Sequence, residues 1–171
     1  MRFNIMIFSL GISLLYAAAP ALAAQDLGQT AEKYQIVSDQ LIEKGTQALA
    51  DNDLGGAQLL FEKALVADPS SVGAYIGLGR TYEGLERTGS SLRFYRKALE
   101  IDPNDLQALE LQSLAFLTRD LVDRAVMNRE RLARLCQHGC AELETVETAI
   151  ELWHMDRAGG NKVADNSTAK K

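Results

Sequence analysis

The sequence predicts an all-α solenoid of helix–turn–helix units closed by a C-terminal helix, and three observations point there. The stretch "FEKALVADP" (Phe61 to Pro69) returns as "YRKALEIDP" (Tyr95 to Pro103). Lys63, Ala64, Leu65, Asp68 and Pro69 recur as Lys97, Ala98, Leu99, Asp102 and Pro103, 34 positions further on. A fixed period of this size marks units that bury their apolar faces only against neighbours. The apolar residues of "LLFEKAL" and "LRFYRKAL" fall at helical spacing, with the charges on the other side. Prolines are few (Pro20, Pro69 and Pro103), aromatics are sparse and glycines are scattered instead of gathered in linkers.

The elements follow in order. Met1 and Arg2 precede an uncharged apolar run, and "ALA" (Ala21 to Ala23) supplies the small-x-small pattern of a signal-peptidase site. Residues 1–23 therefore read as a signal peptide cleaved after Ala23, the alternative being an uncleaved membrane anchor. Residues 24–37 extend the first helix of a first unit over 38–71. A second unit covers 72–105, a degenerate third 106–140, a capping helix 141–157 and a disordered tail 158–171. Helices are expected at about 31–51, 54–67, 72–85, 88–101, 106–118, 121–136 and 141–156. Asp68-Pro69 and Asp102-Pro103 end helices, because the residue before proline is pushed out of the helical region. Ser70-Ser71 and Asn104-Asp105 then offer capping oxygens to the next helix.

The second unit carries Tyr75, Leu78, Gly79, Tyr82, Ser91, Tyr95, Ala98 and Pro103 in sequence. This pattern resembles the tetratricopeptide repeat family, which places an apolar residue, leucine, glycine and tyrosine on a first helix. Alanine and an aromatic follow on a second helix, then a proline. The first unit offers Leu41, Gly45, Ala57, Phe61, Ala64 and Pro69, departing at Lys44 and Ala48. In the third, Leu109, Ser113, Phe116 and Ala125 fit, while Arg129 replaces the aromatic and Gln137 the proline. The resemblance implies a right-handed superhelix. It also implies a partner groove lined by the first helix of each unit. By register those residues are Asp39, Ile42, Thr46 and Leu49; Gly73, Ile76, Arg80 and Glu83; and Gln107, Glu110 and Leu114. Some members grip a terminal carboxylate with a cluster of lysines and asparagines in such slots. Arg80 is the only groove cation here, so that clamp is not expected. A local pair of Arg80 with Glu83 is the plainer alternative.

Other chemistry is thin. "GAYIGLGRTYEGL" (Gly73 to Leu85) has no preceding strand pattern and no Gly-Lys-Ser/Thr, so its glycines do not read as a phosphate loop. Gly79 is placed at a close helix crossing, and Gly73, Gly77 and Gly84 where a partner's backbone approaches. Cys136 and Cys140, in "LCQHGC", are the only cysteines. Gly139 terminates a helix between them, and a tight turn can bring the sulfurs together as a disulfide pinning the last helix. Free thiols, or a soft-metal site of Cys136, His138 and Cys140, are the alternatives. On the last helix Leu143, Val146, Ala149, Ile150 and Trp153 form one stripe, which reads as a cap against the third unit. Trp153 is its anchor, or else an exposed ligand contact.

No catalytic set, cofactor or resident metal is indicated. The net charge of −5, without a basic cluster, argues against nucleic acid and anionic lipid surfaces. The expected protein is thus a non-catalytic, exported adaptor, periplasmic in a bacterium, that holds a peptide or helix of a cell-envelope protein. The rival from another class is a metal- or redox-handling protein using the cysteine turn. Self-assembly into an oligomer by stacking is the third option, and membrane contact is expected only if the leader stays uncleaved.

Overall fold

The computed structural model describes the backbone of residues 19–168 and the side chains of residues 30–158. It contains seven helices among the described residues: α1 (Ala19–Ala50), α2 (Leu54–Ala67), α3 (Val72–Gly84), α4 (Thr88–Ile101), α5 (Leu106–Leu117), α6 (Val122–Leu135) and α7 (Ala141–Thr168). The interior boundaries lie within a residue or two of those expected. The two outer helices run further. α1 starts at Ala19, with Pro20 in the first turn, where its missing N–H costs nothing. α7 continues to Thr168, beyond the residue 157 limit and through the span expected as a disordered tail. Most of the expected leader, residues 1–18, lies outside the described residues, as do the side chains beyond 158. Among the described residues, no helix is long and apolar enough to cross a membrane.

The helix starts show why the chain breaks where it does. Asp53, Ser71 and Asp105 each accept a hydrogen bond from a first-turn amide, those of Gly56, Ala74 and Ala108 at 2.9, 3.3 and 2.7 Å. Before two of these caps, Asp68 and Asp102 fold their carboxylates onto the amides of Ser70 and Asn104, each at 2.9 Å.

Within each pair the turn repeats as strictly as the helices. Asn52, Glu86 and Asp120, spaced by the same period, all adopt positive φ, at 59°, 58° and 58°. The amides of Asp53, Arg87 and Leu121 reach back to the carbonyls of Ala48, Tyr82 and Phe116 at 2.8, 2.8 and 2.9 Å. This is the left-handed helix stop that glycine or asparagine favours. Glu86 is the least suited of the three. Glu86→Gly is therefore expected to stabilise the protein by about 0.5–1 kcal/mol, since relief of the left-handed strain outweighs glycine's extra unfolded entropy; urea unfolding measures it.

Helices pair as α1–α2, α3–α4 and α5–α6, each pair packs on the next, and α7 lies across α5 and α6. First helices also meet directly, α1 with α3 and α5 with α7, so their side is the inner side of the stack. Between them sits an aromatic knob. The ring of Phe61 on α2 fills the space over two glycines: a Cβ at Gly45 would fall 2.8 Å from it, and one at Gly77 would overlap it. Tyr95 on α4 covers Gly79 in the same way. Ala57, Phe61 and Leu78 form one buried cluster, and Ile76, Ala98 and Ala108 a second.

The third pair replaces the knob with polar bonding. Asn128 donates to Gln112 at 3.0 Å, both buried, and Arg129 sits 3.6 Å from Glu147 of α7. Leu109, Leu132 and Val146 make the third cluster, joining α5, α6 and α7. The α6–α7 turn holds Cys136 and Cys140 at disulfide-bonding distance, with Cα atoms 5.7 Å apart and Gly139 at φ 85°. Bonded sulfurs leave no thiolate for a metal. A closed loop this short limits the entropic gain to about 2 kcal/mol. Replacing both cysteines by serine should cost no more than that, with the loss of hydrogen-exchange protection confined to the start of α7.

Candidate partner-binding groove

The first-helix face presents most of the register-derived residues to solvent, but not all. Asp39, Thr46, Gly73, Arg80 and Gln107 are exposed, and Glu83, Glu110 and Leu114 are half-buried. Ile42 and Leu49 are half-buried against the cluster of Ala57, Phe61 and Leu78, so they form the groove floor. Ile76 is a correction. It is buried, packed with Ala98 and Ala108, and belongs to the core between the second and third units. Gly77 and Gly84 are corrections too. A Cβ at Gly77 would overlap the Phe61 ring and one at Gly84 would come 2.8 Å from Leu54, so chain packing accounts for both. At Gly73 a Cβ would meet only Ile42, at an ordinary 3.4 Å, which leaves this exposed position open to a neighbour.

Electrostatics concentrate at two places. Burial raises the Glu83 carboxyl above the usual carboxylate range, while the Tyr95 hydroxyl and the Arg80 guanidinium pull it back. The buried Tyr95 hydroxyl is pushed well up, by burial first and then by the Glu83 charge. Among the described residues no hydrogen bond of ordinary geometry reaches that hydroxyl, although it lies beside the Glu83 carboxyl and the two shift each other. Arg80 is exposed on this face, and its charge favours the ionised form of Glu83.

On α5, Glu110 is raised by burial and by the charge of Glu142 on α7, with the Thr145 hydroxyl offsetting part of this. A carboxyl raised in the folded chain binds its proton more tightly there than when unfolded. Its stabilising contribution is complete below the ordinary carboxyl range and is lost as pH climbs through the raised value. Glu110→Gln is therefore expected to increase stability at pH 7 and to flatten the decline between mildly acidic and neutral pH, as read from urea midpoints.

α7 also belongs to this face, which the sequence reading treats as a cap alone. The start of α5 at Leu106 and that of α7 at Ala141 differ by 35 positions. Gln107, Glu110 and Leu114 therefore correspond to Glu142, Thr145 and Ala149. The helix-start signal after Gly139 carries that offset, which a strict 34-residue count misplaces. The same register explains the end of the stack. Where α3 has Tyr75, Leu78 and Tyr82, α7 has Glu144, Glu147 and Glu151, so its outward face cannot bury a further helix. Trp153 is half-buried against the α5–α6 turn, its Nε1 donating to Asp120 at 3.4 Å with Arg157 stacked 4.6 Å over the ring. Arg157 also pairs with Asp120.

The family model for the tetratricopeptide repeat matches residues 48–115. Over those residues the chain is similar to the tetratricopeptide repeat. The match ends before α6, where the aromatic knob gives way to Asn128 and Arg129. Solved structures of similar fold include the tetratricopeptide domain of Sgt2 from Aspergillus fumigatus, at TM-score 0.64 and 18% identity, covering 73% of this chain and 82% of that one. The Yersinia enterocolitica type III secretion chaperone SycD, in complex with a peptide of the translocator YopD, aligns at TM-score 0.62 and 16% identity, over 70% of this chain and 93% of its own. The TPR2B domain of yeast Sti1, in a complex with an Hsp70 peptide, aligns at TM-score 0.62 and 13% identity, over 71% and 98%. At these identities the likeness establishes the all-α tetratricopeptide superhelix.

Proposed function

We propose that this protein is an exported, non-catalytic adaptor that holds a segment of a cell-envelope protein against its first-helix face, in the periplasm of a bacterium. The observation that carries the reading is the solvent-open face itself. Asp39, Thr46, Gly73, Arg80 and Gln107 recur along α1, α3 and α5 over a floor of Ile42 and Leu49. Similar folds are seen holding peptides, in SycD with a YopD peptide and in the Sti1 domain with an Hsp70 peptide. Export rests on the leader pattern of residues 1–23. With Arg80 as the one cation among the register-derived positions, recognition relies on side-chain packing instead of a carboxylate clamp.

The test is affinity capture from the native envelope with the mature protein and a Thr46→Arg, Gln107→Trp double variant. Both positions are exposed, so the helical circular dichroism should not change. Captured partner should fall by about tenfold or more; equal capture would remove the groove from the account. Arg80→Glu alone asks whether that cation reads the partner, and unchanged capture would leave it only its role beside Glu83. Intact mass of the purified protein should show an N-terminus at Ala24 and the deficit of one disulfide.

A further inference from the structure

We infer that the cysteine turn is a second site, apart from the groove: an exchangeable disulfide that a dithiol protein opens and re-forms at the start of α7. Position and access are the first reasons. Cys136 closes α6, its amide bonded to the Leu132 carbonyl at 2.8 Å, and Cys140 precedes α7, its carbonyl taking the Glu144 amide at 3.2 Å. Both cysteines are half-buried, Gln137, His138 and Gly139 between them are exposed, and a Cβ at Gly139 would meet nothing within 4 Å. The turn stands clear of the stack, open to a thiolate from solvent. Linkage is the next reason. A fold protects a disulfide by the same free energy with which the disulfide strengthens the fold. With the cysteines four positions apart that share is small, and the cluster of Leu109, Leu132 and Val146 holds α7 whether the bond is open or closed.

The helix start sets the direction of attack. At the same place before α2, α3 and α5, Asp53, Ser71 and Asp105 turn a side-chain oxygen onto the amide three residues on. A Cys140 thiolate has the Leu143 amide at that position and the positive end of α7 beside it. A Cys136 thiolate meets the negative end of α6. Glu142 and Glu144 in the first turn of α7, and Arg134 in the last turn of α6, reduce the preference, so it is modest. The first thiolate of the dithiol attacks Cys136 Sγ, the S–S bond breaks, and its electron pair leaves on Cys140 Sγ. The second thiolate then attacks its own neighbour's sulfur in the mixed disulfide and releases Cys136. Two electrons and two protons pass from the dithiol, which becomes a disulfide, to the cysteine pair.

The test starts from the oxidised mature protein. Dithiothreitol should reduce the pair while the helical circular dichroism stays unchanged. The equilibrium constant against the reduced and oxidised reagent should lie within about 30-fold of that measured in urea. A thioredoxin whose second active-site cysteine is replaced by serine should be trapped on Cys136 in preference to Cys140, by about fivefold. Iodoacetamide at pH 7 should alkylate Cys140 in a Cys136→Ser variant about fivefold faster than Cys136 in a Cys140→Ser variant. A pair that resists dithiothreitol until the helices melt, or a native constant about a thousandfold from the urea value, overturns the exchangeable bond. Reduction by dithiothreitol with no trapped thioredoxin overturns the protein partner. Equal trapping on both sulfurs, or faster alkylation of Cys136, overturns the direction of attack. None of these readouts depends on the groove, whose own test is the Thr46→Arg, Gln107→Trp capture.

Discussion

Phe61→Ala is expected to cost about 3–5 kcal/mol and to unfold the N-terminal half of the stack at a denaturant concentration where α5–α7 still persist. The ring is 1% exposed and touches both first helices at their glycines, so its removal opens a cavity between α1 and α3 that no backbone can close. A domain of this size holds about a dozen kcal/mol in all, and in a solenoid the loss falls on one interface. Hydrogen exchange resolved by helix is the appropriate readout. The converse substitution gives an independent check. Gly77→Ala gains about 1 kcal/mol in helix propensity, yet its Cβ overlaps the Phe61 ring, and overpacking costs about 1–3 kcal/mol. The net effect should be destabilising. It should reverse in a Phe61→Leu background, where the smaller side chain makes room. A stabilising Gly77→Ala in the wild-type background would mean that the ring is not seated there.

The second large effect is expected from Val146→Asp. Val146 is fully buried against Leu109 and Leu132, the contact that fastens α7 to the third pair. A carboxylate there has no cation among the residues of its cluster, and burying it costs several kcal/mol, about 3 or more after local relaxation. α7 should detach while α1–α4 keep their protection, because the Phe61 and Tyr95 knobs are untouched. The disulfide-bonded turn would keep the helix tethered but not docked. Loss of protection spread evenly over all seven helices would contradict the nearest-neighbour character of the stack.

Much of this fold is legible in the chain because its signals are local. Asp-Pro at 68–69 and 102–103, and the caps at Ser71 and Asp105, act on the nearest few residues, and the helices begin and end beside them. The outer ends of α1 and α7 are less legible, since Pro20 lies inside the segment read as a leader and no proline follows the expected end of α7. The groove is only partly legible. Asp39, Thr46, Gly73, Arg80 and Gln107 are exposed on the first helices, as the register expects of groove residues. Ile76 does not, because the register names a helix face, while burial depends on the small residues opposite, Ala98 and Ala108. Gly77 carries the same lesson, as its partner is an aromatic 16 positions earlier in a different unit. Glu142 and Thr145 escape the groove reading because the stripe of Leu143, Val146 and Ile150 reads as a cap, although α7 starts at the expected residue 141.

The central claim is that the first-helix face, and not the outer face, holds the partner. A photo-crosslinking amino acid placed singly at Thr46, Gly73, Arg80, Gln107 and Thr145, and at Leu59, Val66 and Met127 on the outer helices, tests it in the living cell. The inner positions should yield adducts with one common protein, mapped by mass spectrometry to one segment, and the outer positions should not. Adducts of that protein from Leu59, Val66 and Met127, with none from the inner five, would contradict it.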